Sequence, residues 1–212
     1  MKAYLLLALI ILGACNQIPH EAGSVEMHYG PGGCESIILG LVETSEDIHC
    51  AFYDLDYEPL IVSLQEKDAR VLVYYKNHPK NTGFEKVYSD GLMHNKFCIF
   101  DNRITWTGSL NPTYNGFQKN HNNIVIMNST MIADNYLNEW LELKDGKQRR
   151  TIHKVNLSGT IVENYFCPED DCEDRVLGEI DNAEERIRFY IFTFTSYAIG
   201  DALVQKSRVI NV

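Results

Sequence analysis

An internal repeat constrains the fold of this 212-residue chain more than any other feature. The stretch from Tyr29 through Cys34-Glu35, Leu39-Gly40, Glu46 and Ile48 recurs as Phe166 through Cys172-Glu173, Leu177-Gly178, Glu184 and Ile187, once one inserted residue is allowed. Self-similarity over such a distance marks a duplicated supersecondary unit. Both copies continue in the same order. The residue pattern predicts helices over 34–45 and 172–185, strands over 48–55 and 187–194, second helices over 59–67 and 198–206, and further strands opening at Arg70 and Arg208. Helices alternating with strands give an α/β architecture, because the apolar faces of the strands must be covered. The first copy occupies residues 25–145. The second, 156–212, stops short of the segment that follows the equivalent strand in the first.

The chemistry is concentrated between Met93 and Asn111. Residues 96–100 and 104–107 are apolar, β-branched or aromatic, and Asp101-Asn102-Arg103 between them has turn chemistry, so the segment is predicted to be a β-hairpin. With the turn at 101–103, Phe100 faces Ile104, Cys98 faces Trp106 and Lys96 faces Gly108. His94 and Lys96, two apart, point to one face. One end of the hairpin therefore gathers an imidazole, an ammonium, a glycine turn, the Ser109 hydroxyl and the Asn111 amide. Those groups supply what phosphoryl transfer needs: a nucleophile, a fixed positive charge and donors for non-bridging oxygens. Asp101 stands about five residues away, roughly 17 Å along an extended strand. It is expected to support the hairpin by bonding backbone amides rather than to touch phosphate.

The pattern His94-x-Lys96-(x)4-Asp101-(x)6-Gly108-Ser109-x-Asn111 resembles the HKD motif of the phospholipase D superfamily at every defining position. The resemblance implies a phospholipase D-like fold, a mixed β-sheet flanked by helices, in two tandem repeats of which the second is incomplete here. It further implies that His94 attacks phosphorus to form a phosphohistidine, that Lys96, Ser109 and Asn111 hold the oxygens, and that no metal or other cofactor takes part. A second histidine, from the other motif, would protonate the leaving oxygen. No second copy of the complete pattern occurs in the sequence, since His78-Pro79-Lys80 is followed by neither the Asp nor the Gly-Ser of the motif, so a homodimer or the missing second repeat is expected to supply it. Where the family often has a glutamate that orients the imidazole, this chain has Asn120-His121-Asn122-Asn123, which makes Asn122 the candidate for that role. The substrate is expected to be a phosphodiester, either phospholipid or nucleic acid. The contrasting expectations are a non-catalytic lipoprotein that binds a phosphate-bearing partner, and an inactive fragment of a full enzyme.

Residues 1–15 predict a lipoprotein signal peptide: Lys2 precedes an apolar run that ends in a lipobox at Leu12-Gly13-Ala14-Cys15. That run is too short to span a bilayer, which takes roughly 20 residues of helix. Cys15 is the expected lipidation site, residues 16–24 a polar tether, and the outer face of a cell membrane the location. A formal charge of −10 argues against holding nucleic acid by bulk electrostatics, so any phosphate affinity must be local. Cys50 and Cys98 sit in apolar strands and read as buried thiols, whereas Cys167 and Cys172 either close a small loop or stay free. The spacing of the cysteines offers no zinc site. His28, His49, His78 and His153 lack partner patterns, and only His121 lies close to the motif. Phe189, Tyr190, Phe192 and Phe194 read as the core side of a strand. The acidic run 169–174 reads as a solvated loop leading into a helix.

Overall fold

The computed structural model describes residues 17–212, so the predicted signal peptide and Cys15 lie outside the described residues. In chain order the elements are β1 (His20–Glu21), β2 (Ser24–Tyr29), α1 (Cys34–Thr44), β3 (Ile48–Phe52), α2 (Glu58–Glu66), β4 (Arg70–Tyr74) and β5 (Glu85–Val87). They continue with β6 (Lys96–Phe100), β7 (Ile104–Gly108), α3 (Tyr114–Gln118), β8 (Asn123–Asn128), α4 (Thr130–Asp145), β9 (Lys154–Leu157), β10 (Thr160–Glu163), α5 (Cys172–Asn182) and α6 (Tyr197–Lys206). Seven strands form one mixed sheet in the order β2-β8-β7-β6-β3-β4-β5. It is parallel across β3, β4 and β5 and antiparallel elsewhere. The α/β class expected from the sequence is thus the class observed.

Strand periodicity explains the layering. Cys50 and Phe52 of β3, Val71 and Val73 of β4, and Cys98 and Phe100 of β6 share one face, where Ile38 and Val42 of α1 and Leu60 and Leu64 of α2 cover them. The alternate residues Ala51, Leu72, Phe97 and Ile99 meet Ile132, Ala133, Tyr136 and Trp140 of α4 on the other face. Helix α4 is well terminated: Ser129 accepts from the Ile132 amide at its start, and Gly146 adopts a left-handed conformation at its end. A smaller sheet, β1-β9-β10, adds Val155 to the second core.

Three expectations are corrected. The tether predicted over 16–24 is partly structured: His20 and Glu21 pair in parallel with Asn156 and Leu157. Glu21 also sends its carboxylate to the Thr130 and Met131 amides and the Ser129 hydroxyl at the start of α4. Cys50 and Cys98 are not thiols but a disulfide, because β3 and β6 set them directly opposite with Cα atoms 4.1 Å apart. Cys167 and Cys172 are bonded as well, which leaves Cys34 as the free, buried cysteine among the described residues. The strand predicted over 187–194 does not form. Among the described residues only Arg186 bridges Asn211 and no neighbouring strand offers a ladder, so residues expected in a core stand in solvent, Phe192 completely and Tyr190 by 83%. Helices α5 and α6 pack on each other with just Ile180 and Leu203 buried. No described helix is long and apolar enough to cross a membrane.

Candidate active site

The site is assembled at the edge of the sheet where β3 and β4 end and β6 begins. The β6–β7 hairpin turns at Asp101-Asn102, both at positive φ, closed by the Arg103 amide on the Phe100 carbonyl. Aspartate and asparagine tolerate that conformation better than other residues with a β-carbon. The turn sets the register, with Cys98 opposite Trp106 and Phe97 opposite Thr107, and so brings Gly108-Ser109 to the same end as His94-Lys96. Gly108 has φ +143°, and a β-carbon there would lie 2.4 Å from the Asn123 carbonyl oxygen, so only glycine fits.

Lys96 is almost fully buried. Its ammonium donates to the His94 carbonyl at 3.0 Å and lies 5.2 Å from the centre of the Tyr53 ring. Burial lowers its pKa to about 8, against the opposing pull of the nearby Asp54 carboxylate. The His94 ring is open to solvent on one side and meets Tyr53 edge-on at 4.6 Å on another. Partial desolvation, then the Lys96 charge, push its pKa below the ordinary value. Near neutral pH the site therefore holds an uncharged imidazole beside a charged ammonium, the state in which a ring nitrogen can attack phosphorus. The backbone between them is anchored from behind: Asn95 donates from its side chain to Glu139 of α4 at 2.8 Å, and its carbonyl accepts from the Tyr53 amide at 2.7 Å. Burial raises Glu139 to about 7.

The remaining expected residues divide. The Ser109 hydroxyl is held in the turn that faces it, donating to the Asn122 side-chain oxygen at 3.2 Å and accepting from the Asn123 amide at 3.0 Å. Asn111 follows at the same end, and its buried side-chain oxygen has no hydrogen-bond partner among the described residues. Asn122 is not placed as an imidazole-orienting group: its oxygen serves Ser109, its nitrogen serves the Gly116 carbonyl, and no hydrogen bond joins it to His94. Asp101 lies at the far end of the hairpin, where its carboxylate accepts from the Glu46 and Asp47 amides, both at 2.9 Å. Tyr53, Asp54 and Glu139 are site neighbours that the motif spacing does not disclose. They arrive through β3 and α4, distant in sequence, and only the position of residues 53 and 54 just past a predicted parallel strand could have marked them. Among the described residues no group of three or more His, Cys, Asp or Glu is placed to hold a metal ion. A concavity of about 790 Å³ between β10 and α5 lies away from this site.

Comparison with known proteins bears on the same region. The family described as "Cardiolipin synthase, PLD-like domain" matches residues 50–143. A phospholipase D of Rickettsia bellii is 27% identical over 133 residues, covering 54% of this chain and 65% of the relative. A mitochondrial cardiolipin hydrolase of Xenopus laevis is 44% identical over 55 residues, 26% of each protein. The chain thus spans under two thirds of the length of these curated relatives. Among solved structures, the phospholipase D family member Nuc from Salmonella typhimurium superposes with a TM-score of 0.53 at 21% identity, covering 61% of this chain and 99% of Nuc, a likeness of fold. With the motif on the hairpin and the mixed sheet behind it, residues 50–143 carry a phospholipase D-like domain.

Proposed function

We propose that this chain hydrolyses phosphodiesters through a covalent phosphohistidine on His94. The observation that supports this most is the pairing of an accessible imidazole at His94 with the buried Lys96 ammonium. In the first step a ring nitrogen of His94 bonds to phosphorus as the bond to the departing alcohol oxygen breaks, and that oxygen takes up a proton. Water then attacks phosphorus, the P–N bond breaks, and the proton lost by water returns to the acid–base group. Lys96 offsets the charge on the non-bridging oxygens, with the Asn111 amide and the Ser109 turn beside it. The acid–base group is assigned to the histidine of a second His-x-Lys unit, from another copy of this chain or a joined repeat. The scissile group is a phosphodiester. Phospholipid is one candidate carrier, in keeping with the names of the curated relatives and with a lipid anchor at Cys15, and nucleic acid is the other. The two disulfides support an extracytoplasmic, oxidising location.

The test is hydrolysis of labelled phospholipid and of DNA and RNA by the full chain, with and without a chelator, beside His94→Ala. Turnover should survive the chelator, fall by at least about 100-fold in the variant, as when a catalytic group is removed, and leave on His94 an acid-labile phosphoryl group that still carries one of the substrate's two ester groups, seen in alkaline-quenched samples. Magnesium-dependent turnover, or turnover retained without His94, would refute the proposal. Binding without turnover is the second reading, favoured by the single complete motif in the sequence, which supplies one of the two histidines. It predicts phosphate-dependent binding and no product in any arm.

A further inference from the structure

A line of aromatic rings leaves the nucleophile and reaches the surface. His94 touches Tyr53, Tyr53 stacks on Tyr74 at 5.7 Å and 28°, Tyr74 meets Tyr75 at 5.0 Å, and Tyr75 stacks on Tyr88 at 4.9 Å and 26°. The sheet builds this line: Tyr74 pairs with Val87 in the parallel β4–β5 ladder, so Tyr75 and Tyr88 are the next residues out on adjacent strands. Tyr74 is buried, whereas Tyr88 is 71% exposed. Lysine ammonium groups flank the line, Lys96 at Tyr53 and Lys76 5.5 Å from the Tyr75 ring centre. Residues 75–96 hold four lysines against Glu85 and Asp90, and Glu85 is already paired with Lys144 at 2.8 Å, so this strip is locally positive on a chain of charge −10.

We propose that Tyr75, Tyr88 and Lys76 form a subsite that stacks a nucleobase of a single-stranded nucleic acid whose scissile phosphate lies at Lys96. This rests on the reading of His94 as the nucleophile and adds the substrate class. Near-parallel rings ending at an open ring face continue a base stack, which tolerates any base, and the neighbouring ammonium meets the backbone phosphate. A quaternary ammonium headgroup fits poorly, because lysine ammonium groups already sit at the Tyr53 and Tyr75 rings and would repel it. A bilayer surface fits poorly too: Tyr88 and Leu92 are the exposed apolar side chains of this strip, with Asp90 between them.

The experiment measures binding of a fluorescent single-stranded oligonucleotide, and of an abasic oligonucleotide of equal length, to the full chain and to Tyr88→Ala, Tyr88→Phe and Lys76→Gln. The wild type should bind the intact strand more tightly than the abasic one. Tyr88→Ala should weaken intact-strand binding roughly 5- to 100-fold, the range for losing one stacked base, with Tyr88→Phe near wild type. Lys76→Gln should weaken both strands alike and flatten the salt dependence. Because Tyr88 is exposed, its substitution leaves the core intact. Equal affinity for the two strands, absence of binding, or wild-type affinity in Tyr88→Ala would overturn the subsite. So would a Tyr88 dependence seen with phosphatidylglycerol vesicles instead of oligonucleotide. Hydrolysis of a small activated aryl phosphodiester, run in parallel with His94→Ala, reports on the nucleophile alone and separates failure of the chemistry from failure of the subsite.

Discussion

In the proposed mechanism His94 and Lys96 need opposite protonation states, and that conflict would set the working pH. His94 must be neutral to attack. It gains a proton as pH falls through its depressed pKa, which lies under 6.5. Lys96 must be charged, and it loses its proton as pH rises through about 8. The profile of kcat/KM against pH should therefore be bell-shaped, with an acid limb under 6.5 and an alkaline limb near 8, far below the ordinary lysine range. Lys96→Met should cost on the order of 100- to 1000-fold, the usual effect of removing one preorganised charge-stabilising donor, and should remove the alkaline limb. An alkaline limb above 10 in the wild type would show that Lys96 is not desolvated as described. Fixed spacing made these two residues, Gly108 and Ser109 legible in the sequence, since a hairpin carries them to one end by counting alone. Tyr53 and Glu139 were not legible, because tertiary packing delivers them from elements 40 or more residues away. Asn122 misled for a related reason: position suggested the imidazole, but the local turn takes up both ends of its amide.

Helix α4 carries Trp140 and Tyr136 into the core and Glu139 to the back of the site, so whatever fixes its start also steadies the segment that carries His94. Glu21 does that from another part of the chain. Partial burial would raise the pKa of its carboxyl, but hydrogen bonds from Ser129, Thr130 and Met131 outweigh this and hold it at about 2. The stabilisation is complete above the ordinary value of 4.5 and is lost as pH falls toward 2. Glu21→Gln should lower the unfolding free energy by about 1 kcal/mol at pH 7, as for other helix-start contacts. The gap between variant and wild type should close in acid. A constant gap across that window, by denaturant titration, would mean that charge is irrelevant to this cap. Elements with strong periodicity were readable in advance, as α1, α2 and the hairpin show. The segment 187–194 has equal apolar content but no neighbouring strand, and a strand's existence depends on its ladder as much as on its residues.

At the scale of the whole molecule, apolar surface is distributed unevenly. The sheet and its helices bury their cores on both faces, while Phe189, Tyr190, Ile191, Phe192 and Phe194 form a contiguous solvent-facing strip. A strip of this kind drives association when concentration allows. Sedimentation of residues 16–212 should show weight-average mass rising with concentration, and Phe192→Ser with Tyr190→Ser should suppress the rise while leaving the thermal midpoint within a few degrees. A chain that stays monomeric at high concentration would show that the strip is inert. The Cys50–Cys98 bond has a different reach. It ties β3, which leads into Tyr53 and Asp54, to β6, which opens at Lys96, so both walls of the site hang from one covalent rung. Protein made in a reducing cytoplasm would have the same sequence and a mass about two hydrogens higher for this pair. It should lose about 2 to 4 kcal/mol of stability, and with it much of its lifetime at working temperature. For this fold the choice of expression compartment becomes a kinetic variable, readable as the half-life of activity before and after oxidation.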